Sequence, residues 1–247
     1  MRSDIHHEIE SAQSVLFDMD GTIFDTEPLH AKALMLALNE FGKKFTEDEL
    51  HHRFYGKTDT SVFQELLPDT YNRDYPTFQK IKNKILINIF DQLTIDQKKE
   101  YTAIGLQKFL QSLRRSGKKI ALVSSSEQEI VEHTLQTFSL TLFFDIIIGR
   151  NGTHLNKPNP SPYFKAMRHF KTLSKNTLIF EDSPSGLKSA HSTGAVVIQS
   201  LCFNRGELSD LNLEKIFTNG KTPKNIKQFD HLLVEHTNPH STFKDID

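Results

Sequence analysis

Short unbroken apolar runs alternate with amphipathic stretches along most of this chain. The runs are Val15-Leu16-Phe17, Ile120-Ala121-Leu122-Val123, Ile146-Ile147-Ile148, Leu178-Ile179-Phe180 and Val196-Val197-Ile198, each followed by turn or polar residues. Continuous runs of this length predict strands buried on both faces, as in a parallel sheet. The stretches between them repeat at helical spacing. Leu106, Phe109, Leu110 and Leu113 form one such stripe, and Gly117 after Arg114-Arg115 predicts its end. Ile130, Val131, Thr134 and Leu135 form a second, and Tyr163, Ala166, Met167 and Phe170 a third. Strand–helix alternation with short connections predicts an α/β fold with a doubly wound parallel sheet.

One segment departs from this rhythm. Between Pro28 and Asp96 the pattern holds only helical stretches, such as Lys32–Phe41 and Phe78–Phe90. An all-helical block after the first strand predicts a second, smaller domain over residues 28–96. The core domain then comprises residues 1–27 and 97–220. From Lys221 to Asp247 the chain is polar and rich in Asn, His and Lys, which leaves open a last strand, a helix or a disordered end.

Composition narrows the class. The 247 residues are 37% hydrophobic, include 19 Phe and are 25% charged, enough for a core inside a soluble surface. Lys and Arg number 30 against 31 Asp and Glu, a net charge of −1, so neither nucleic acid nor a membrane surface is an expected partner. No apolar run approaches the ~18–20 residues of a membrane span. The charged start, MRSDIHHEIESAQS, lacks the apolar region of a secretory signal. A lone Cys202 fits a reducing compartment. These features predict a cytoplasmic protein, a monomer or weak oligomer.

The strongest chemical signal is Phe17-Asp18-Met19-Asp20-Gly21-Thr22. Two carboxylates two residues apart at a strand end point to one side, because the strand period is 2. They also stand at the carboxyl end of the first strand, where open α/β sheets bind ligands. One carboxylate can attack an electrophile while the other moves protons, and either can hold a hard cation. An Asp before Gly more ordinarily shapes a turn. Three other stretches follow strands in the same way. Val123-Ser124-Ser125-Ser126 is read as opening a helix whose hydroxyls and N–H groups suit a phosphate oxygen, although serine pairs also cap helices. Asn156-Lys157-Pro158-Asn159-Pro160 sets a lysine in a proline-stiffened loop. Glu181-Asp182-Ser183-Pro184-Ser185-Gly186 leaves the fourth strand and starts a helix, where acidic residues are favourable in any case.

In order and spacing these four stretches resemble the haloacid dehalogenase-like hydrolase superfamily, in the branch of β-phosphoglucomutase and small sugar-phosphate phosphatases. The resemblance covers about residues 13–205. It implies a Rossmann-like core with a helical cap inserted after the first strand. It implies that Asp18 is the nucleophile that accepts a phosphoryl group. Asp20 would protonate the leaving oxygen and then activate water. Ser124 and Ser125, with Lys157, would hold the phosphoryl oxygens. Asp18, the Asp20 carbonyl and Asp182 would hold Mg²⁺, with Glu181 a further ligand or an orienting group. The implied partner is a small phosphorylated metabolite.

The resemblance extends to the cap loop Phe54-Tyr55-Gly56-Lys57-Thr58-Asp59-Thr60-Ser61, expected to choose the substrate through Gly56, Lys57 and Asp59. β-Phosphoglucomutases place an arginine where Asp59 stands, to grip a second phosphate. A carboxylate there favours a phosphatase over the alternative, a sugar phosphomutase, although Lys57, Lys80, Lys82 or Lys84 would restore a cation. A catalytically silent binding protein is disfavoured because no core motif residue is lost. Thr26, Glu27, Pro28 and His30 fall where the cap hinge would begin. His6-His7 and His51-His52 read as surface histidines. The basic run Arg114–Lys119 reads as a helix end, and Cys202 as a packed residue.

Overall fold

A computed structural model describes residues 4–54, 58–151, 156–203 and 223–234. The strands are β1 (Ser14–Phe17), β2 (Lys119–Glu127), β3 (Ile146–Arg150), β4 (Thr177–Glu181), β5 (Val196–Ser200) and β6 (Lys224–Ile226). The helices are α1 (Asp4–Ser11), α2 (Glu27–Glu40), α3 (Glu47–Phe54), α4 (Asp59–Leu66), α5 (Tyr71–Asp91), α6 (Ile95–Glu100), α7 (Leu106–Arg115), α8 (Gln128–Thr137), α9 (Ser161–Phe170) and α10 (Pro184–His191). Two compact units result, residues 1–25 with 99–247, and residues 26–98.

The first unit is built on one parallel sheet in the order β3-β2-β1-β4-β5-β6. The chain winds outward from β1 through β2 to β3, then returns to add β4 on the other side of β1. That reversal leaves a crevice at the carboxyl ends of β1 and β4, where doubly wound sheets take their ligands. Alternation along each strand sends side chains to two cores. Val15, Phe17, Ile120, Leu122, Leu178 and Phe180 pack with Leu106, Phe109 and Leu110 of α7. Leu16, Ala121, Val123 and Ile179 pack on the opposite face with Tyr163 and Met167 of α9 and Leu187 of α10. Both faces are therefore buried, which is why these strands read as unbroken apolar runs. The rings of Phe17 and Phe180 stack at 5.1 Å, and Phe109 meets them edge-on at 6.2 and 5.8 Å. Burial of each such ring contributes about 1.5–3 kcal/mol.

One feature differs from the expectation, and one alternative left open is decided. The serine run does not open a helix after Val123; β2 continues through Glu127, pairing with Arg150 of β3, and α8 begins at Gln128. The sheet also has a sixth strand. Lys224–Ile226 lies parallel to Ile198–Ser200, so the polar C-terminal segment supplies an edge strand, and Phe229 beyond it is fully buried in the first core.

The second unit is helical, with no strand among its described residues. Leu34, Ala37 and Leu38 of α2 pack with Val62 and Phe63 of α4 and Phe78 of α5. Along α5 the buried positions are Phe78, Lys82, Leu86 and Phe90, one helical stripe with a lysine in it. Among the described residues no helix is long and apolar enough to cross a membrane.

Candidate active site

Register brings the chemistry together. Phe17 pairs with Leu122 on one side and Phe180 on the other, so the next residues at that level are Asp18, Val123 and Glu181. The Asp18 N–H donates to the Phe180 carbonyl at 3.0 Å, extending the ladder by one bond. The chain then turns sharply. The N–H groups of Ile23 and Phe24 both donate to the Met19 carbonyl, and Gly21 N–H donates to the Phe24 carbonyl at 2.7 Å. Gly21 takes φ +81°, and a Cβ there would stand 2.2 Å from Oδ2 of Asp182. Only glycine lets the carboxylate of Asp182 lie against this turn. Thr22 fixes it there, with its hydroxyl donating to Asp182 Oδ1 at 2.8 Å, while Ser200 donates to the Thr22 carbonyl at 3.1 Å.

Lys157 is buried beside these groups. Its Nζ donates to Asp18 Oδ1 at 2.5 Å, Glu181 Oε1 at 2.7 Å and the Val123 carbonyl at 2.8 Å. The ammonium also lies 4.8 Å from the ring centroid of Tyr163. Desolvation is outweighed by the carboxylates of Asp18 and Glu181, which push the Lys157 pKa up and favour the charged amine.

Glu181 is wholly buried and saturated with donors. Its Oε1 accepts from Lys157 and from the Tyr163 hydroxyl at 3.0 Å. Its Oε2 accepts from the N–H groups of Asp182 and Ser183, at 2.9 and 3.1 Å, and from the Ser183 hydroxyl at 3.2 Å. A Cβ on Gly186 would fall 1.6 Å from Oε1, so glycine is required for α10 to approach. Ser183 caps that helix, accepting from Gly186 N–H at 3.0 Å.

Asp18, Glu181 and Asp182 each bring an oxygen within 4.8 Å of the others. Burial, and then Glu181, push the Asp18 carboxyl up to about 8 despite the opposing pull of Lys157. An all-oxygen donor set with excess negative charge fits a hard divalent cation.

Asp20 faces two serines. Its Oδ2 accepts from the Ser126 hydroxyl at 3.1 Å and lies 3.5 Å from Ser124 Oγ. Ser124 Oγ in turn accepts from Ser126 N–H at 3.0 Å. Ser124 and Ser126 thus both reach Asp20, across a stretch where β2 has an irregularity, while the Ser125 side chain is exposed.

Of the residues read as a site, Asp18, Asp20, Ser124, Lys157, Glu181 and Asp182 therefore meet at one end of the sheet, and the Ser125 side chain does not join them. Gly56 and Lys57 lie outside the described residues. Asp59 belongs to the helical unit, where it opens α4 and pairs with the buried ammonium of Lys82. Lys80 and Lys84 are exposed. The side chains of His51 and His52 are outside the described set. The basic run is engaged within the chain. Arg114 contacts Asp145 at 3.1 Å, and Lys118 donates to the carbonyls of Glu10 and Ala12, both at 2.6 Å. Cys202 is half-buried, and burial pushes its thiol up to about 11. Thr22, Ser126 and Ser183 stand inside the sequence motifs, and Tyr163 in a helical stripe, but the sequence assigns none of them a role of its own. Tyr163 was hidden in an ordinary helical stripe.

Comparison with known proteins agrees with this arrangement. The family model of the haloacid dehalogenase-like hydrolases matches residues 15–199. The PpaX protein of Caldanaerobacter subterraneus subsp. tengcongensis, named for a pyrophosphatase, is 31% identical over 183 residues, covering 73% of this chain and 78% of that protein. A phosphorylated carbohydrates phosphatase of Thermotoga maritima is 28% identical over 183 residues, covering 74% of this chain and 82% of its own. Among solved structures, CbbY of Rhodobacter sphaeroides in complex with phosphate superposes with a TM-score of 0.68 at 20% identity, covering 90% of this chain and 96% of that one. With the motif residues assembled at the switch point of the sheet, the chain belongs to the haloacid dehalogenase-like hydrolase family.

Proposed function

We propose that this hydrolase is a Mg²⁺-dependent phosphatase that removes the phosphoryl group from a small phosphorylated metabolite through an aspartyl-phosphate on Asp18. The observation that carries the reading is the buried contact of Asp18 with Lys157, beside Asp20, at the carboxyl end of β1. A phosphoryl dianion repels a carboxylate nucleophile, and a fixed cation next to that nucleophile offsets the repulsion.

Asp18, Asp182 and the backbone carbonyl of Asp20 would hold Mg²⁺. The ion would supply further positive charge and keep Asp18 ionised. Glu181, with both oxygens already engaged, acts as the orienting group. It sets Lys157 through one oxygen and the start of α10, hence Asp182, through the other. In the first half-reaction Asp18 attacks phosphorus, the bond to the leaving oxygen breaks, and Asp20 gives that oxygen its proton. In the second, Asp20 takes a proton from water, the water oxygen attacks phosphorus, and the bond to Asp18 breaks. Ser124 and Lys157 hold the phosphoryl oxygens throughout.

The helical unit, residues 26–98, takes the part of a cap that selects the rest of the substrate. Asp59 is neutralised by Lys82, so the pair offers no net positive charge to a second phosphate. This favours hydrolysis over transfer between two hydroxyls of a sugar. The test is phosphate release from a panel of sugar phosphates, nucleoside monophosphates, phosphoglycolate and pyrophosphate. Release with Mg²⁺ that stops with EDTA and returns with added Mg²⁺ is expected. Full activity in metal-stripped protein would remove the metal from the reading. Conversion of a hexose 1-phosphate to its 6-phosphate without phosphate release would remove the phosphatase.

A further inference from the structure

We infer that Ser126 is a positioning residue for the proton-transferring carboxylate of Asp20, and that its hydroxyl governs how well the protein expels poor leaving groups. The inference rests on the phosphatase reading above and goes beyond its motif residues.

Three observations converge on Ser126. The first is direct: its hydroxyl donates to Asp20 Oδ2 at 3.1 Å, a shorter contact than that of Ser124 at 3.5 Å. The second is local structure. β2 runs to Glu127 with an irregularity between Val123 and Glu127, where pairing to β3 resumes at Arg150, so the segment that carries Ser124 and Ser126 is anchored at both ends by the sheet. The third is coupling. Ser126 N–H donates to Ser124 Oγ at 3.0 Å, so one residue sets the hydroxyl of Ser124 through its backbone and the carboxylate of Asp20 through its side chain.

The chemistry makes this arrangement consequential. Asp18 is fixed by a buried lysine and by the sheet, whereas Asp20 lies beyond the strand, on the Met19–Phe24 turn, and is half-buried. An acid that must reach a leaving oxygen on one step and a water on the next needs its oxygens aimed. The shorter hydroxyl contact on Oδ2 restrains the plane of the carboxyl group. The hydroxyl keeps its own proton and its loss changes no charge, so its effect falls on geometry.

General-acid catalysis matters most when the leaving oxygen is strongly basic. Phenyl phosphate and 4-nitrophenyl phosphate present the same phosphoryl group on rings of similar size, but the nitrophenolate leaves with little need of a proton. Ser126→Ala should therefore lower kcat/KM on phenyl phosphate by about tenfold and on 4-nitrophenyl phosphate by less than about threefold, a fraction of the ~10²–10⁴ that a whole general acid contributes. Ser126→Thr, which keeps a hydroxyl on a residue suited to strands, should restore the phenyl phosphate rate. Asp20→Ala should show the same selectivity, larger in size. A loss of overall packing or of phosphate affinity would lower both substrates equally. Equal losses in Ser126→Ala, or selectivity in Asp20→Ala with none in Ser126→Ala, would overturn the inference while leaving the phosphatase intact. A wild-type protein that hydrolyses neither ester, or an Asp20→Ala variant without selectivity, would overturn the reading beneath it.

Discussion

The hydroxyl of Tyr163 donates to Oε1 of Glu181 at 3.0 Å, while the ring of the same tyrosine lies under the ammonium of Lys157. One side chain from α9 thus holds both the carboxylate that orders the β4–α10 turn and the cation beside Asp18. The two roles separate by mutation. Tyr163→Phe keeps the ring and leaves a buried carboxylate short of one donor, a cost of about 1–3 kcal/mol. Tyr163→Leu also removes the aromatic face, and should cost more and lower kcat further. Denaturant unfolding with steady-state kinetics checks the order; equal stability of the two variants would contradict it.

Two glycines make a second pair of expectations. Gly21 and Gly186 stand where a Cβ would strike the carboxylates of Asp182 and Glu181, at 2.2 and 1.6 Å. Ala at either position should abolish activity, because those carboxylates must move. Gly42 also has a positive φ, +72°, but nothing lies within 4 Å of its Cβ position. Gly42→Ala should cost only the ~1–2 kcal/mol of left-handed backbone and leave kcat unchanged. Equal loss of activity in all three would show that close approach is not the reason for glycine at the site.

The Asp59–Lys82 pair is asymmetric, since the lysine side chain is 5% exposed and the aspartate 31%. Removing the exposed member strands a buried charge, whereas removing the buried one leaves a carboxylate that water can reach. Asp59→Asn should therefore destabilise the helical unit by about 3–5 kcal/mol, and Lys82→Met by clearly less. The double variant should recover most of the loss. Thermal unfolding of the three variants checks this, and a Lys82→Met protein less stable than Asp59→Asn would contradict it.

Much of the core was legible because burial on both faces leaves an unmistakable trace. Leu16 faces one core while Val15 and Phe17 face the other, so no polar residue interrupts the run. β6 was readable only as one of several open alternatives, for the converse reason. It is a three-residue edge strand, Lys224–Ile226, with only Ile226 buried, and its pairing comes from backbone groups that carry no sequence signature. The extension of β2 was misread because serines suit a helix cap in local terms. Pairing of Glu127 with Arg150 in β3 overrides that preference. Within the site, Asp18, Asp20 and Asp182 were readable as acidic groups leaving strands. Tyr163 was not, because its ring satisfies a helical stripe while its hydroxyl serves Glu181, and a pattern of apolar positions registers only the ring.

The central claim is that Asp18 carries the phosphoryl group between two half-reactions. Its most direct test is rapid acid quench of the protein turning over a hydrolysed substrate with Mg²⁺, followed by mass spectrometry of the peptide holding Asp18 and Asp20. The account expects one phosphoryl group on Asp18, formed in the first turnover, longer-lived in Asp20→Asn and absent in Asp18→Asn. Sustained phosphate release by Asp18→Asn, or a phosphoryl group found on another residue, would contradict it.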